Sequence, residues 1–439
     1  MQSSKKKRHP HELRVALFVI FAPKSQTMHI LSKSTYIKGL QCEKALYMTK
    51  KHPYLRDKLS IEQRAKFQRG TDVGILAQQY FPGGVNMTPN SPSQFPKRVK
   101  ETMENLNNPD INVMYEAVFQ YNDTLIMVDI LVRDGEQWKA IEVKSSLKLS
   151  TTYYNDAALQ YYVLHGCGLP LSDFQLMHIN PDYVRHGDID VKQLFRLVSV
   201  MDYAKEQEPV IAANVERLKQ VVALPHAPQV EVGPHCSTPY PCDFRGHCWK
   251  NIPQEDPNVP YSIDFKALFA QTPDPKPRRI AYLNPLLYCP AVPERDGTRP
   301  YQEMMLAFAL NGDQEPNGNT LWDCFDDHSR WVEGLDMLEA RLQDYDLVVT
   351  FSPNEHLRHK VFNLSEVLQN AEMFHPLLKD GFNLQHMAAA VFHNLKLFEH
   401  SRIIVEALAQ DSLSYEQAKN DLIAENDVVK SIYQHFFKN

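Results

Sequence analysis

Two apolar runs, Leu125–Val132 and Trp138–Val143, flank Asp134-Gly135, and no other pattern in the 439-residue chain restricts its fold as tightly. Asp-Gly between apolar runs signals a β-hairpin. With Asp134-Gly135 as the loop, Arg133 pairs with Glu136 and Asp129 faces Ala140. With the longer loop 134–137, Asp129 faces Glu142 directly. Side chains alternate along a strand, so both even-length loops give the same sidedness. Asp129, Glu142 and Lys144 then share one face. Ile126, Val128, Ile130, Val132, Ile141 and Val143 share the other, the expected core face.

Two carboxylates about 5–8 Å apart across a strand pair repel each other unless positive charge sits between them. A hard divalent cation such as Mg²⁺ or Mn²⁺ takes oxygen ligands, acidifies a bound water and stabilises charge building on a phosphate. Lys144 points the same way, toward a water or a phosphate. The plainer alternative is an exposed charged edge with a Glu142–Lys144 ion pair. The following segment, "YYNDAALQYYVL", predicts a helix over 153–164. Asp156 and Gln160 share a face there, and a glutamine inside an apolar run needs partners. Gln160 either caps a backbone group in the core or reaches the carboxylates from above the hairpin.

A chain of this length predicts two domains. Residues 28–252 mix helix and strand patterns, including a helix ended by Pro82-Gly83-Gly84 and another over 200–223. Residues 253–279 are proline-rich and read as a linker, and 280–439 form a second unit with the strand-like "DLVVTF". Residues 1–27 join a basic run to an apolar run of about nine residues, well short of the ~20 needed to span a bilayer. They read as a disordered extension, or as one that translation omits, with Met28 opening the folded part. No membrane segment is expected, and the reading is cytoplasmic. A net charge of −6 neither requires nor excludes nucleic acid, since a basic groove can sit on an acidic protein.

Seven cysteines in a chain this long do not suggest a disulfide framework. Cys167, Cys289 and Cys324 read as small hydrophobes. Cys236, Cys242 and Cys248 recur at regular spacing beside Pro, Gly and His. With Cys42 upstream they make four thiols, which suit a [4Fe–4S] cluster or structural zinc. Such a site would close a loop of nearly 200 residues.

Asp at a strand end, Glu-x-Lys in the next strand, and a helix carrying Gln resemble the PD-(D/E)xK nuclease superfamily, and within it the RecB-type exonucleases. The resemblance implies a restriction-endonuclease-like α/β fold, a mixed sheet flanked by helices. It implies metal binding by Asp129, Glu142 and the Val143 carbonyl, a catalytic Lys144, and Gln160 as the helix glutamine. Gly74 stands where that branch often has a histidine; Asp72 and Glu116 are substitutes of low standing. The cysteine pattern is similar to the iron–sulfur clasp of CRISPR adaptation nucleases and AddAB helicase–nucleases, although Cys-x2-Cys is commoner there. Phrases such as "LSKSTYIKGLQCEKALYM" and "HINPDYVRHGDIDVKQLF" resemble a bacterial family that joins this nuclease to a DEDD-type, RNase H-like domain.

In that second domain the family's acids fall here on Asn284, Leu286 and Asn363, and only Asp427 remains. A two-metal site does not survive such losses, so 280–439 reads as a degenerate exonuclease domain. The resemblance thus implies a metal-dependent DNA nuclease, exonucleolytic on single-stranded ends, in repair or defence, with a helicase or defence-system partner. A non-catalytic nucleic-acid-binding or complex-assembly scaffold, stabilised by the four cysteines, is the alternative.

Overall fold

The hairpin forms with the register of the longer loop. In the computed structural model, which describes residues 30–59, 61–250, 279–312, 318–350, 361–363 and 414–437, Arg133 pairs with Trp138 and Ile130 with Ile141. Continued by one pair, this register sets Asp129 opposite Glu142. The ladder nevertheless closes on Asp134↔Gln137, so the loop itself is Gly135-Glu136. Gly135 has φ +64, and the first position of a two-residue type II′ loop is the one that demands glycine. Chain reversal is therefore displaced by one residue from Asp134-Gly135.

The first unit is a seven-stranded mixed sheet covered by helices on both faces. Its strands are β1 (Leu31–Ser32), β2 (Val85–Asn86), β3 (Val113–Tyr121), β4 (Thr124–Asp134), β5 (Gln137–Lys144), β6 (Leu171–Ile179) and β7 (Phe195–Ser199). They run in the order β2-β3-β4-β5-β6-β7, with β1 beside β4. The pairs β3–β4, β4–β5 and β6–β7 are antiparallel, and β5–β6 is parallel. The β5–β6 crossover carries helix α5 (Thr151–Gly166). Preceding it are α1 (Lys33–Gln41), α2 (Glu43–Lys51), α3 (Ile61–Gln78) and α4 (Phe95–Leu106). After it come α6 (Val191–Leu194), α7 (Met201–Ala223) and α8 (Arg245–Cys248). The helices expected over 153–164 and 200–223 are α5 and α7, and α3 ends just before Pro82-Gly83-Gly84.

Because both faces are covered, the expectation of a single core face fails. Ile130, Val132, Ile141 and Val143 pack with Val73 and Ala77 of α3. Ile126 and Val128 pack on the opposite side, with α5 and α7. The change coincides with Glu116 and Asp129, which lie between the bridged pairs Tyr115↔Ile130 and Ala117↔Val128. Glu116 has φ +53, a conformation strained for glutamate. The sheet is thus irregular at its acidic residues.

A second five-stranded sheet contains β8 (Ile280–Tyr288), β9 (Met304–Gly312), β10 (Thr320–Asp323), β11 (Leu347–Thr350) and β12 (Val361–Asn363), in the order β10-β9-β8-β11-β12. Its first three strands form an antiparallel meander, and the last two run parallel to β8. Helices α9 (Trp331–Leu342) and α10 (Tyr415–Phe437) flank it. The stretch after β8 reaches back to the first unit: Arg185 and Thr298 bond through their backbones, and Ala291 joins the core that includes Tyr183 and Phe195. Both units are therefore α/β with mixed sheets flanked by helices. Among the described residues no helix is long and apolar enough to cross a membrane. Residues 1–27, 253–278 and Leu364 lie outside the described residues.

Two glycines offer a paired test of packing. A Cβ added at Gly334 on α9 would stand 2.2 Å from the Trp322 ring, and Trp322 is buried and stacked on Phe308. Gly334→Ala should cost roughly 1–3 kcal/mol by overpacking. Gly74, inside α3, has open space around an added Cβ, so Gly74→Ala should stabilise by about 0.5–1 kcal/mol. Urea denaturation of the two variants checks both signs, and a Gly334→Ala midpoint at or above wild type would refute this account of the α9–sheet contact.

Candidate active site

Glu142 is the centre around which the site is arranged. It is 2 % exposed, faces the α5 side of the sheet, and receives three donors. Strand β1 pairs with β4, and Ser32 then caps α1 through a reciprocal pair of hydrogen bonds with Thr35. Lys33 is therefore the first residue of α1, and its Nζ lies 2.6 Å from Glu142 Oε1. Lys144 Nζ is 2.7 Å from the same oxygen and 2.5 Å from Asp156 Oδ2. Gln160 is fully buried, and its Nε2 donates to Glu142 Oε2 at 2.8 Å. Asp129 Oδ2 accepts the Val143 N–H at 2.7 Å.

The structure thus brings Asp129, Glu142, Lys144 and Gln160 together, with the Val143 backbone beside them. The Glu142–Lys144 ion pair is present too, but it is buried, and no exposed charged edge forms. Glu116 adjoins the cluster. Asp72 does not: it is exposed on α3 and bonded to Gln68.

Electrostatics mark the cluster as short of positive charge. Burial would raise Glu142, but Lys144 and Lys33 outweigh it and hold its carboxyl well below the usual range. Burial and the Glu142 charge push Asp129 well up, and burial raises Asp156. Burial, with Glu142, lifts Glu116 to about 7. Burial would lower both lysines, but the surrounding carboxylates carry each above the ordinary lysine range. Glu116, Asp129, Glu142 and Asp156 carry two more negative charges, when all are ionised, than Lys33 and Lys144 neutralise. Asp156 Oδ1 and Gln160 Oε1 are buried with no hydrogen-bond partner. A divalent cation fits that charge deficit and an oxygen-rich donor set. As the side chains are placed, no three His, Cys, Asp or Glu groups among the described residues are gathered closely enough to hold a metal; the two ammonium groups lie between Glu142 and Asp156.

Lys33 and Asp156 were not picked out as site residues from the sequence. A cation in the first turn stands at the unfavourable end of the helix dipole, which is the signal that Lys33 has an outside partner. Asp156 carried the same signal as Gln160, a polar residue in an apolar run.

Cys42, Cys236, Cys242 and Cys248 line one small cavity together with Ala45, Met48 and Phe244. Cys42 is extended between α1 and α2 (φ −159, ψ 114). Burial raises the Cys242 and Cys248 thiols, and the neighbouring cysteines add to the shift. Four thiols at one cavity fit a thiophilic centre by donor chemistry. The segment 234–248 is anchored to α1 and its surroundings. Gln41 Nε2 donates to the carbonyls of His235 and Tyr240, both at 2.7 Å. Lys38 pairs with Asp243, and Asp57 Oδ2 accepts the Gly246 N–H at 2.9 Å. Among the other cysteines, Cys324 is buried as expected, while Cys167 and Cys289 are only half-buried.

In the second unit, Asn284 is buried on β8 and donates to Glu425 Oε2 at 2.8 Å, and Leu286 lies in the apolar core. Asp427 is exposed and bonded to Asn311 and Asn319. Asn363 sits on β12.

No family model matches the sequence, and no curated protein matches it. Among solved structures, one titled "Crystal structure of SSO0001" is similar at 11% identity, covering 50% of this chain and 89% of that one, with a TM-score of 0.23.

Proposed function

We propose that the chain is a metal-dependent deoxyribonuclease of the PD-(D/E)xK type, acting on single-stranded DNA ends. The observation that carries this reading is the convergence of Asp129, Glu142, Lys144 and Gln160 on one buried carboxylate centre short of positive charge. The antiparallel β3–β4–β5 meander and parallel β6, joined by α5, support the fold assignment.

Asp129, Glu142 and the Val143 carbonyl would hold Mg²⁺ or Mn²⁺, which when bound supplies a Lewis acid for a phosphate oxygen and acidifies water. Gln160 fixes the Glu142 carboxylate by holding Oε2. Lys144, kept charged by Glu142 and Asp156, orients the attacking water and meets the charge developing on the phosphate. Lys33 offers a second ammonium group to the strand being cut. Cys42, Cys236, Cys242 and Cys248 bind a [4Fe–4S] cluster, or zinc, as a clasp.

The second unit fits an RNase H-like domain by strand order: its strands, numbered within the unit, run 3-2-1-4-5. An amide at Asn284 and an alkyl chain at Leu286 do not fit a two-metal site.

The test is to purify the protein without oxygen and incubate it with end-labelled single-stranded DNA and Mn²⁺, beside Lys144→Ala. Degradation by wild type and none by the variant is the expected outcome. Equal inertness of both would remove the nuclease reading and leave a nucleic-acid-binding scaffold.

A further inference from the structure

Between the two units lies a cavity of about 750 Å³, within the size range of ligand pockets. One wall is α3, including Arg69. The adjoining Gly70 would set an added Cβ 4.0 Å from Ser145 Oγ, and Ser145 follows Lys144 in the chain. Tyr301 of the second unit donates its hydroxyl to the Ser145 carbonyl. The cavity therefore lies beside the end of the strand that carries Glu142 and Lys144.

The opposite wall is aromatic. Tyr288 and His328 have ring centroids 5.5 Å apart, and Phe325 and Tyr415 stack at 5.8 Å with an interplanar angle of 17°. All four line the cavity. Arg69 lies close enough to Tyr301 for its charge to act on that hydroxyl, and a guanidinium there suits stacking on a base or pairing with a phosphate. Two carboxylates also border the space. Asp72 accepts from Gln68, and Glu294 accepts from Tyr288 and lies 3.9 Å from His328. These acids oppose phosphate within the cavity, but they can accept the amino groups of a base.

We infer that this inter-unit cavity is a nucleobase subsite that stacks bases of a single DNA strand while its backbone runs past Arg69 toward Lys144. Its use in catalysis rests on the nuclease reading; the binding itself does not. The second unit then works as a substrate platform. Aromatic walls suit this task because every base offers a π-face, whatever the sequence.

The experiment is equilibrium binding of a fluorescent single-stranded oligodeoxynucleotide in EDTA, where no cleavage intervenes. Tyr288→Ala and Tyr415→Ala should each weaken binding by roughly 5- to 100-fold. Tyr415 is 51 % exposed, and a melting curve of each variant separates lost binding from lost fold. Independently of any variant, wild-type protein should lose affinity to a similar degree for an abasic strand of the same length. A 5-iodouracil strand should crosslink to peptides containing Tyr288 or Tyr415. Unchanged affinity in both tyrosine variants, or equal affinity for the abasic strand, would overturn the subsite. If wild type fails to cleave with Mn²⁺ but tyrosine-dependent binding persists, the subsite stands and the nuclease reading falls. If wild type cleaves and neither tyrosine matters to binding, the nuclease stands and the subsite falls.

Discussion

Glu142→Ala should melt roughly 10 °C below wild type and show no Mn²⁺-dependent DNA cleavage. The substitution removes the shared partner of Lys33, Lys144 and Gln160. Breaking a buried ion pair costs about 3–5 kcal/mol, chiefly because a charge is left without compensation. For a domain of this size, each kcal/mol is worth about 2–4 °C. Lys144 keeps Asp156 at 2.5 Å, so the loss falls chiefly on the buried Gln160 amide and on Lys33, whose remaining carboxylate, Asp156, lies 3.8 Å away. Glu142→Gln keeps the volume and should melt between the two, with cleavage still absent. Calorimetry beside the DNA assay reads both effects. A Glu142→Ala protein that melts with wild type would mean that the lysines relax freely into solvent, contrary to the arrangement described. One that still cleaves DNA would end the assignment of Glu142 as the metal-holding carboxylate.

Cys42→Ser should lower the melting temperature by at least about 6 °C and abolish binding of the proposed metal centre. The thiols join α1 and α2 to a segment nearly 200 residues away, so a bound centre constrains a very long loop. The effect should also reach the chemistry. The same segment carries Tyr240, which lies close enough to Lys144, Tyr153 and Asp156 for their charges to act on its hydroxyl, and Lys66 sits over its ring at 5.5 Å. Loosening the clasp therefore disturbs one wall of the site. Elemental analysis of iron and zinc, together with a melting curve, checks the first claim. A serine variant with the wild-type metal content and melting curve would show that Cys42 is only packing.

The hairpin, helices α5 and α7 and the shared face of Asp129, Glu142 and Lys144 were legible from local pattern, while for Gln160 the pattern left two readings open. Strand alternation and the four-residue helical repeat act over a few residues, so spacing alone places side chains on a common face of one element. Phrase-level resemblance supplied the names of the roles, and Cys236, Cys242 and Cys248 stood out because thiols beside Pro and Gly seldom recur by chance at regular spacing.

What spacing could not supply was everything decided by partners far along the chain. Lys33 reaches Glu142 across 109 residues because β1 docks beside β4 and a capping box then starts α1 at that point. Ile126 and Val128 do not share a core face with Ile130 and Val132 because the alternation breaks at Glu116 and Asp129, and helices cover both sides to receive each pair. The cavity behind Arg69 exists only because residues 289–301 fold back onto the first unit. Local periodicity set which side chains lie together on each element; long-range docking set which elements meet, and with them the charge balance of the site.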